Sequence, residues 1–191
     1  MIDENGLGRF GGYDEFRAWL GENCGSSSGV WVVLAKKGSG LTTVTYAEAL
    51  DAALEFGWID GKAKSIDAAT YMQRFTPRRP QSPWSTRNRT AAEAMIAEGR
   101  MAPRGLAEVE RARNDGRWER AYDGPATAQP HPEFVEALAA NPAAAEFYAT
   151  LNSQNRFAIY YRVQSAKRPE TRARRIADFV AKLEKHERFY D

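Results

Sequence analysis

The spacing of hydrophobic residues in the N-terminal half of the chain alternates between strand and helix patterns. The continuous apolar run 30–35 predicts a buried strand, and 71–75 places aromatic side chains at either end of one face, as in a half-buried strand. Between them, an apolar stripe predicts a helix over about 46–56 that starts at the capping box of Thr45 and Glu48. These elements predict an α+β fold with a small, mainly antiparallel sheet and flanking helices.

From about residue 83 onward the hydrophobic spacing is helical. Two apolar stripes end at Gly99 and Gly116, which predicts a pair of helices. Residues 124–132 are rich in proline and small residues, as a linker is, and the stripes beyond them predict a C-terminal helical module. We therefore predict two domains, an α+β domain over 1–125 and a helical module over 126–191.

The composition indicates a folded protein and narrows its chemistry. A chain of 191 residues with 43% hydrophobic and 27% charged residues can bury a core. One cysteine and two histidines cannot form an internal disulfide or a cysteine–histidine metal cage. The acidic start Met1-Ile2-Asp3-Glu4 and the lack of an apolar run near about 20 residues argue against export and membrane insertion. We expect a cytoplasmic protein without a cofactor.

Positive charge is concentrated in residues 62–90. Seven lysines and arginines stand there against the single acid Asp67, a net charge of +6 in a chain whose formal net charge is +2. Inside this stretch Arg78 and Arg79 lie between two prolines, which disfavour a helix. We therefore expect both guanidinium groups to be presented on a loop.

A guanidinium pair of this kind is suited to phosphate or carboxylate oxygens, which it binds through paired N–H donors. The predicted site adds hydroxyl and amide groups, the free backbone N–H groups of a helix beginning at Pro83, another arginine, a carboxylate and two indole walls. Its ligand-binding residues are Arg74, Arg78, Arg79, Ser82, Trp84, Ser85, Asn88, Trp58 and Asp60. We predict no catalytic residue and no metal ligand.

Structural roles explain the same residues without a ligand. The arginine pair can brace the loop against acids such as Glu55 or Asp60, because structural ion pairs resemble binding sites. Trp58 can belong to the core, and Asp60-Gly61 is typical of a hairpin turn. The basic residues of 167–175 can follow a nucleic-acid backbone, but an ordinary solvated helix face is the favoured interpretation.

Three motifs together resemble a known family. They are Gly57-Trp58-Ile59-Asp60-Gly61, then Phe75-Thr76-Pro77-Arg78-Arg79 with Ser82-Pro83-Trp84-Ser85 and Asn88, and Ala166-Lys167-Arg168-Pro169-Glu170-Thr171-Arg172 with Arg175-Ile176. Over about 30–190 the chain resembles the YdeI-like, OmpD-associated family, also called bacteriocin-protection proteins. The resemblance implies a link to tolerance of cationic antimicrobial peptides, a separable C-terminal module, and a framework role for Gly116-Arg117-Trp118. It implies no catalytic residues.

The sequence and the resemblance together predict a non-enzymatic, cytoplasmic anion-binding protein of the stress-tolerance type. Its ligand is expected to be a small phosphate or carboxylate, or nucleic acid. One alternative is an enzyme that acts on a small phosphorylated or carboxylated substrate with Asp60 as its base. The other is a protein-interaction module that binds a protein partner through its C-terminal helices.

Overall fold

A four-stranded sheet organises the N-terminal part of the protein. The computed structural model describes residues 2–3 and 6–190, so Met1 and Glu4 of the acidic start lie outside the described residues. The strands are β1 (Leu7–Gly8), β2 (Val30–Ala35), β3 (Trp58–Ser65) and β4 (Thr70–Pro77), in the order β1-β2-β4-β3. Only the β1–β2 pairing is parallel among the described strand pairs. The predicted small, mainly antiparallel sheet is confirmed.

Four helices accompany this sheet, and their ends follow local signals in the sequence. They are α1 (Tyr13–Asn23), α2 (Tyr46–Glu55), α3 (Thr86–Ala97) and α4 (Pro103–Asn114). The capping box at the start of α2 is confirmed, because the Thr45 hydroxyl accepts from the Glu48 N–H at 3.2 Å while the Glu48 carboxylate accepts from the Thr45 N–H at 2.8 Å. Gly99 and Gly116 follow α3 and α4 with φ of 68° and 72°, a left-handed conformation that suits glycine.

Two local predictions in this region are wrong. Residues 60–61 do not form a hairpin turn; they lie inside β3, where the register with β4 shifts and produces a bulge. The chain reverses instead at 66–69, where the Asp67 carboxylate accepts from the N–H groups of Ala69 and Thr70 at 2.8 and 2.7 Å. The helix expected to begin at Pro83 begins three residues later, as α3.

The hydrophobic core of this part lies on one face of the sheet. Val30, Val32 and Leu34 of β2 belong to it, together with residues of all four helices. Because side chains alternate along a strand, Trp31 and Val33 point to the opposite face and are not members of that cluster. One face of the sheet therefore packs against the helices, and the other face, which carries Trp31 and Val33, lies outside that core.

A buried carboxylate links α1 to α2. Glu55, the last residue of α2, is only 1% exposed. Its side chain accepts hydrogen bonds from Arg17 Nη2 at 2.7 Å and from the Tyr13 hydroxyl at 3.1 Å. Burial and the charge of Glu55 raise the pKa of Tyr13. Because an unpaired buried charge costs several kcal/mol, these bonds are needed for α1 and α2 to pack as they do.

The backbone at the same end of α2 holds α4 and the loop after β4. The Glu55 carbonyl accepts from the Ala102 N–H at 3.1 Å, and Gly105 of α4 packs directly against this carbonyl. Two residues later, the Gly57 carbonyl accepts from the Arg78 N–H at 3.0 Å. This end of α2 is therefore the junction of four segments.

The chain divides into two compact units, Met1–Ala121 and Tyr122–Asp191. The second unit contains α5 (Pro132–Ala139), α6 (Pro142–Thr150), α7 (Ser153–Gln164) and α8 (Pro169–Glu184), which confirms the predicted C-terminal helices. Their apolar faces form a separate core that includes Phe134, Ile159 and Phe179. The domain boundary predicted near residue 125 stays a prediction.

One fully buried amide fixes the end of the described chain to α7. The Asn155 side-chain oxygen accepts from the N–H groups of Phe189 and Tyr190 at 2.9 and 3.0 Å. Its nitrogen donates to the Asn152 side chain at 3.0 Å and to the Tyr190 carbonyl at 3.1 Å. All four hydrogen-bonding positions of the amide are used, as burial requires.

No described helix has both the length and the apolar character needed to cross a membrane.

Replacing Gly105 with alanine should destabilise the N-terminal unit. A Cβ atom there would lie 2.2 Å from the Glu55 carbonyl oxygen and 2.5 Å from the Met101 sulfur, so α4 would have to move. We expect a loss of about 1–3 kcal/mol, as overpacking generally causes, measured as a lower Tm by circular dichroism. Gly21→Ala in α1 is the matched control, because the nearest atoms there are Phe56 ring carbons at 3.9 and 4.0 Å. That variant should be neutral or more stable by up to about 1 kcal/mol, and equal losses in both variants would contradict the close approach.

Candidate functional site

The two predicted arginines lie on the loop between β4 and α3, but their side chains have different environments. Arg79 is exposed, whereas Arg78 is only 4% exposed. The Arg78 guanidinium stacks on the Trp84 ring, 3.5 Å from its centroid, and Nη1 donates to the Pro83 carbonyl at 3.1 Å. The expectation that both guanidinium groups are presented to solvent is therefore wrong for Arg78.

Trp84 is the centre of a larger group of cationic and aromatic side chains. It is 1% exposed and packs edge to face against Trp118, with ring centroids 4.8 Å apart. Arg89 donates from Nη1 to the Trp118 carbonyl at 3.2 Å, and Arg117 donates from Nη1 to the Ser82 carbonyl at 2.7 Å. We call Arg78, Trp84, Arg89, Arg117 and Trp118 the arginine–tryptophan cluster.

Three nitrogen atoms of this cluster are buried donors without an acceptor. They are Nε1 of Trp84, Nε of Arg89 and Nη2 of Arg117, none of which has a hydrogen-bond partner among the described residues. A buried donor left unpaired costs about 1–3 kcal/mol. Two of the three donors belong to guanidinium groups, so the cluster combines unused donors with positive charge. These are the groups from which an oxyanion accepts hydrogen bonds.

Two carboxylates contact the cluster and partly balance its charge. Asp115 accepts from Arg117 Nε through both oxygens, at 2.9 and 2.8 Å. This interaction with Arg117 lowers the pKa of Asp115 below its usual value. Glu93 lies 3.8 Å from Arg89 Nε, too far for a hydrogen bond. The two acids therefore leave donors of both arginines unused.

The hydroxyl and amide groups predicted for the site shape the loop. The Ser82 hydroxyl accepts from the Arg79 N–H at 2.9 Å, and the Ser85 hydroxyl accepts from the Asn88 N–H at 3.2 Å as the N-cap of α3. Asn88 itself is 6% exposed. These oxygens accept backbone bonds, so their contribution is to position the arginines and Trp84 rather than to complete an open oxyanion pocket.

Trp58 lies in the hydrophobic core of the N-terminal unit and does not line an open pocket. Trp58 has no exposed surface, donates from Nε1 to the Cys24 carbonyl at 3.4 Å and packs edge to face on Trp19. Trp58 belongs to the core and its Nε1–H donor is already bonded, so its predicted role as a wall of an open pocket is wrong.

Arg74 and Asp60 lie on opposite faces of the sheet. Asp60 pairs with Phe75, whose side chain is in the core, while Arg74 stands beside Trp31 on the other face. Asp60 accepts from the Tyr46 hydroxyl at 2.9 Å. The Asp60 carboxylate thus bonds to Tyr46, and the Glu55 carboxylate bonds to Tyr13 and Arg17, within the N-terminal unit.

Sequence reasoning missed Arg89, Arg117 and Trp118 as parts of one group with Trp84. The signal for two of them was present, because Gly116 places Arg117 and Trp118 directly after a helix end, in a motif that the family resemblance marks as framework. Nothing in the local sequence joins that motif to the loop before α3.

Within the described part of the chain, no group of three or more histidine, cysteine, aspartate or glutamate side chains lies close enough together to hold a metal ion.

Two family models match the chain in separate regions. The first, described as Domain of unknown function (DUF8412), matches residues 9–108, and the second, described as Bacteriocin-protection, YdeI or OmpD-Associated, matches residues 127–186. The second match confirms the family resemblance, in the C-terminal helices. The loop with Arg78 and Arg79 falls instead within the first match. Comparisons with curated proteins and with solved structures gave no match.

Replacing Tyr46 with phenylalanine should remove a phenol that titrates late. Burial, and then the charge and hydrogen bond of Asp60, raise the pKa of Tyr46 from 10.0 to about 12. The neutral phenol therefore contributes stability that is fully present below pH 10.0 and is lost as the pH rises toward about 12. Phenolate absorbance should show one more late-titrating phenol in the wild type than in Tyr46→Phe.

Urea unfolding gives a second measurement of the same effect. Over the part of this pH range in which both proteins are folded, the stability difference between the wild type and Tyr46→Phe should shrink. Parallel stability curves would contradict the raised pKa of Tyr46.

Proposed function

The chain belongs to the family described as Domain of unknown function (DUF8412), and we propose that it binds a small oxyanion, a phosphate or a carboxylate, at the arginine–tryptophan cluster. The observation that carries this proposal is the set of buried, unpartnered donors on Trp84, Arg89 and Arg117. Tetrahedral or planar oxyanions supply several acceptor lone pairs in a small volume. One such ligand can satisfy donors that no described side chain satisfies.

Electrostatics support an anion over a neutral acceptor. Beside Arg89 and Arg117 of the cluster, Arg113 adds a further guanidinium 5.2 Å from the Trp118 ring centroid. The contacting carboxylates are Asp115 and Glu93. Because attraction between charges is stronger in a partly buried site than in water, the excess of positive charge favours a ligand that carries negative charge.

The family description supports the wider role. The C-terminal helices match a family described as Bacteriocin-protection, and a protective, stress-tolerance function of this chain is part of our proposal. In this function the N-terminal unit binds the anion and performs no chemistry on it. We further propose a cytoplasmic location, which separation of cell fractions followed by immunoblotting tests directly.

Trp84→Phe is the sharpest test, because it removes the Nε1–H donor and keeps an aromatic ring beneath Arg78. Wild-type Tm should rise with inorganic phosphate and with sulfate relative to chloride at equal ionic strength. Titration calorimetry should show phosphate binding to Trp84→Phe that is about 10- to 100-fold weaker, since a hydrogen bond to a charged group contributes about 1.5–3 kcal/mol. Arg89→Gln should weaken phosphate binding in the same direction.

Trp58→Phe is the matched control. Its indole N–H donates to the Cys24 carbonyl inside the protein, so this variant should lose stability and keep its phosphate affinity. Circular dichroism establishes that each variant is folded. The proposal is wrong if phosphate and sulfate raise the wild-type Tm no more than chloride does, or if the two tryptophan variants bind phosphate equally well.

A further inference from the structure

Trp31 carries two cationic side chains over its ring, on the sheet face opposite to the core. Arg74 is its direct partner across the β2–β4 pairing, with the guanidinium carbon 5.8 Å from the ring centroid. Lys64 reaches the same ring from β3, across the intervening strand β4, and places Nζ 5.0 Å from the centroid. A half-buried indole thus lies at the centre of a positively charged surface.

The cations of this surface form no ion pair with a described carboxylate. Lys62, Lys64 and Arg74 have no carboxylate within salt-bridge distance anywhere in residues 2–3 and 6–190. The nearby acids have other roles: Asp60 binds Tyr46 on the core side of the sheet, and Asp67 organises the turn between β3 and β4. Along β3, Asp60 thus lies on the core side of the sheet and Lys64 lies over Trp31 on the outer side.

The arrangement is more specific than edge protection alone. Lysines on an edge strand such as β3 prevent pairing with another chain, and that role explains Lys62 and Lys64 individually. It does not explain why Lys64 and Arg74 meet over one indole, where repulsion between two like charges opposes the cation–π attraction of each to the ring. Their convergence is favourable when a polyanion lies between them.

We propose that this sheet face binds single-stranded nucleic acid, with a base stacked on Trp31 and phosphates held by Lys64 and Arg74. Aromatic rings that stack with bases, set among cations that follow the backbone, are the recurrent chemistry of such surfaces. Both cations over the ring have long side chains, so each can move to a phosphate while a base takes its place. A duplex fits less well, because its bases are stacked on one another and closed to Trp31.

An anionic membrane is the competing partner. Membrane association requires several exposed apolar side chains to enter the lipid. Here the turn between β3 and β4 offers Ile66, which is 41% exposed, beside charged neighbours. Trp31 lies on β2 between two other strands, away from that turn. These positions favour nucleic acid over lipid.

The test is fluorescence anisotropy of labelled single-stranded oligothymidylate and oligouridylate, titrated with the full chain at several salt concentrations. Trp31→Leu should weaken binding by about 5- to 150-fold, the fold-change equivalent to the stacking of one base. Trp31→Phe should retain most of the affinity. Lys64→Gln with Arg74→Gln should lower the salt slope by about 1.4, since each lost phosphate contact contributes about 0.7 for single strands. The two oligonucleotides distinguish RNA from DNA as the source of the ligand.

Matched controls separate this site from others in the chain. Lys185→Gln removes one exposed charge from the end of α8 and should leave anisotropy unchanged. Trp84→Phe should also leave it unchanged, so the oxyanion site and this face can fail independently. Circular dichroism and Tm show whether each variant is folded.

Three outcomes would overturn the proposal. The first is that neither oligonucleotide binds the wild type at low salt. The second is that folded Trp31→Leu binds as tightly as the wild type, which would reduce the interaction to diffuse charge. The third is that vesicles of phosphatidylglycerol and phosphatidylcholine bind the wild type through Trp31 while oligonucleotides do not, which would assign the face to lipid.

Discussion

The C-terminal end of α2 is the constraint on which the N-terminal unit depends. Glu55 places a carboxylate where solvent does not reach, and only donors from α1 make that burial tolerable. The same residue's carbonyl accepts from Ala102 and contacts Gly105, so α1 and α4 are fixed relative to one residue of α2. A conformation in which either helix moved away would leave a buried charge or a buried carbonyl without partners.

The loop before α3 is held in place by the same C-terminal end of α2. Gly57 has a φ of 73°, and a side chain there would meet Glu108 and the backbone of α4. Only glycine therefore allows the chain to turn tightly at the end of α2. The Gly57 carbonyl then holds the Arg78 N–H. This bond fixes the start of the loop, in which the Arg78 guanidinium is buried over Trp84 while Arg79 is exposed.

Local signals in the sequence were sufficient for most of the fold. The capping box at Thr45, the apolar run of β2 and the glycines that follow α3 and α4 each depend on residues a few positions apart, and each is confirmed. Asp60-Gly61 misled because the same dipeptide suits a turn and a bulge, and the choice between them depends on pairing with β4. The contacts that define the candidate site are between residues far apart in sequence. Arg117 reaches Ser82 across 35 positions, and no local pattern encodes that pairing.

The basic residues of 62–90 are clustered in the sequence but lie in two separate places in the structure. The alternation of side chains along a strand is one reason. Along β4, Arg74 and Phe75 point to opposite faces, so the arginine joins Lys64 and Trp31 while the phenylalanine enters the core. Beyond the end of β4, alternation no longer applies, and the backbone bond to Gly57 directs Arg78 toward Trp84 instead. The concentration of charge that the sequence shows is thus divided by geometry into a partly buried cluster of arginine and indole donors and an outer face of the sheet. Because these two places differ in burial, we propose different anions for them: a small oxyanion for the buried donors, and an extended polyanion for the cations arranged around the half-buried ring.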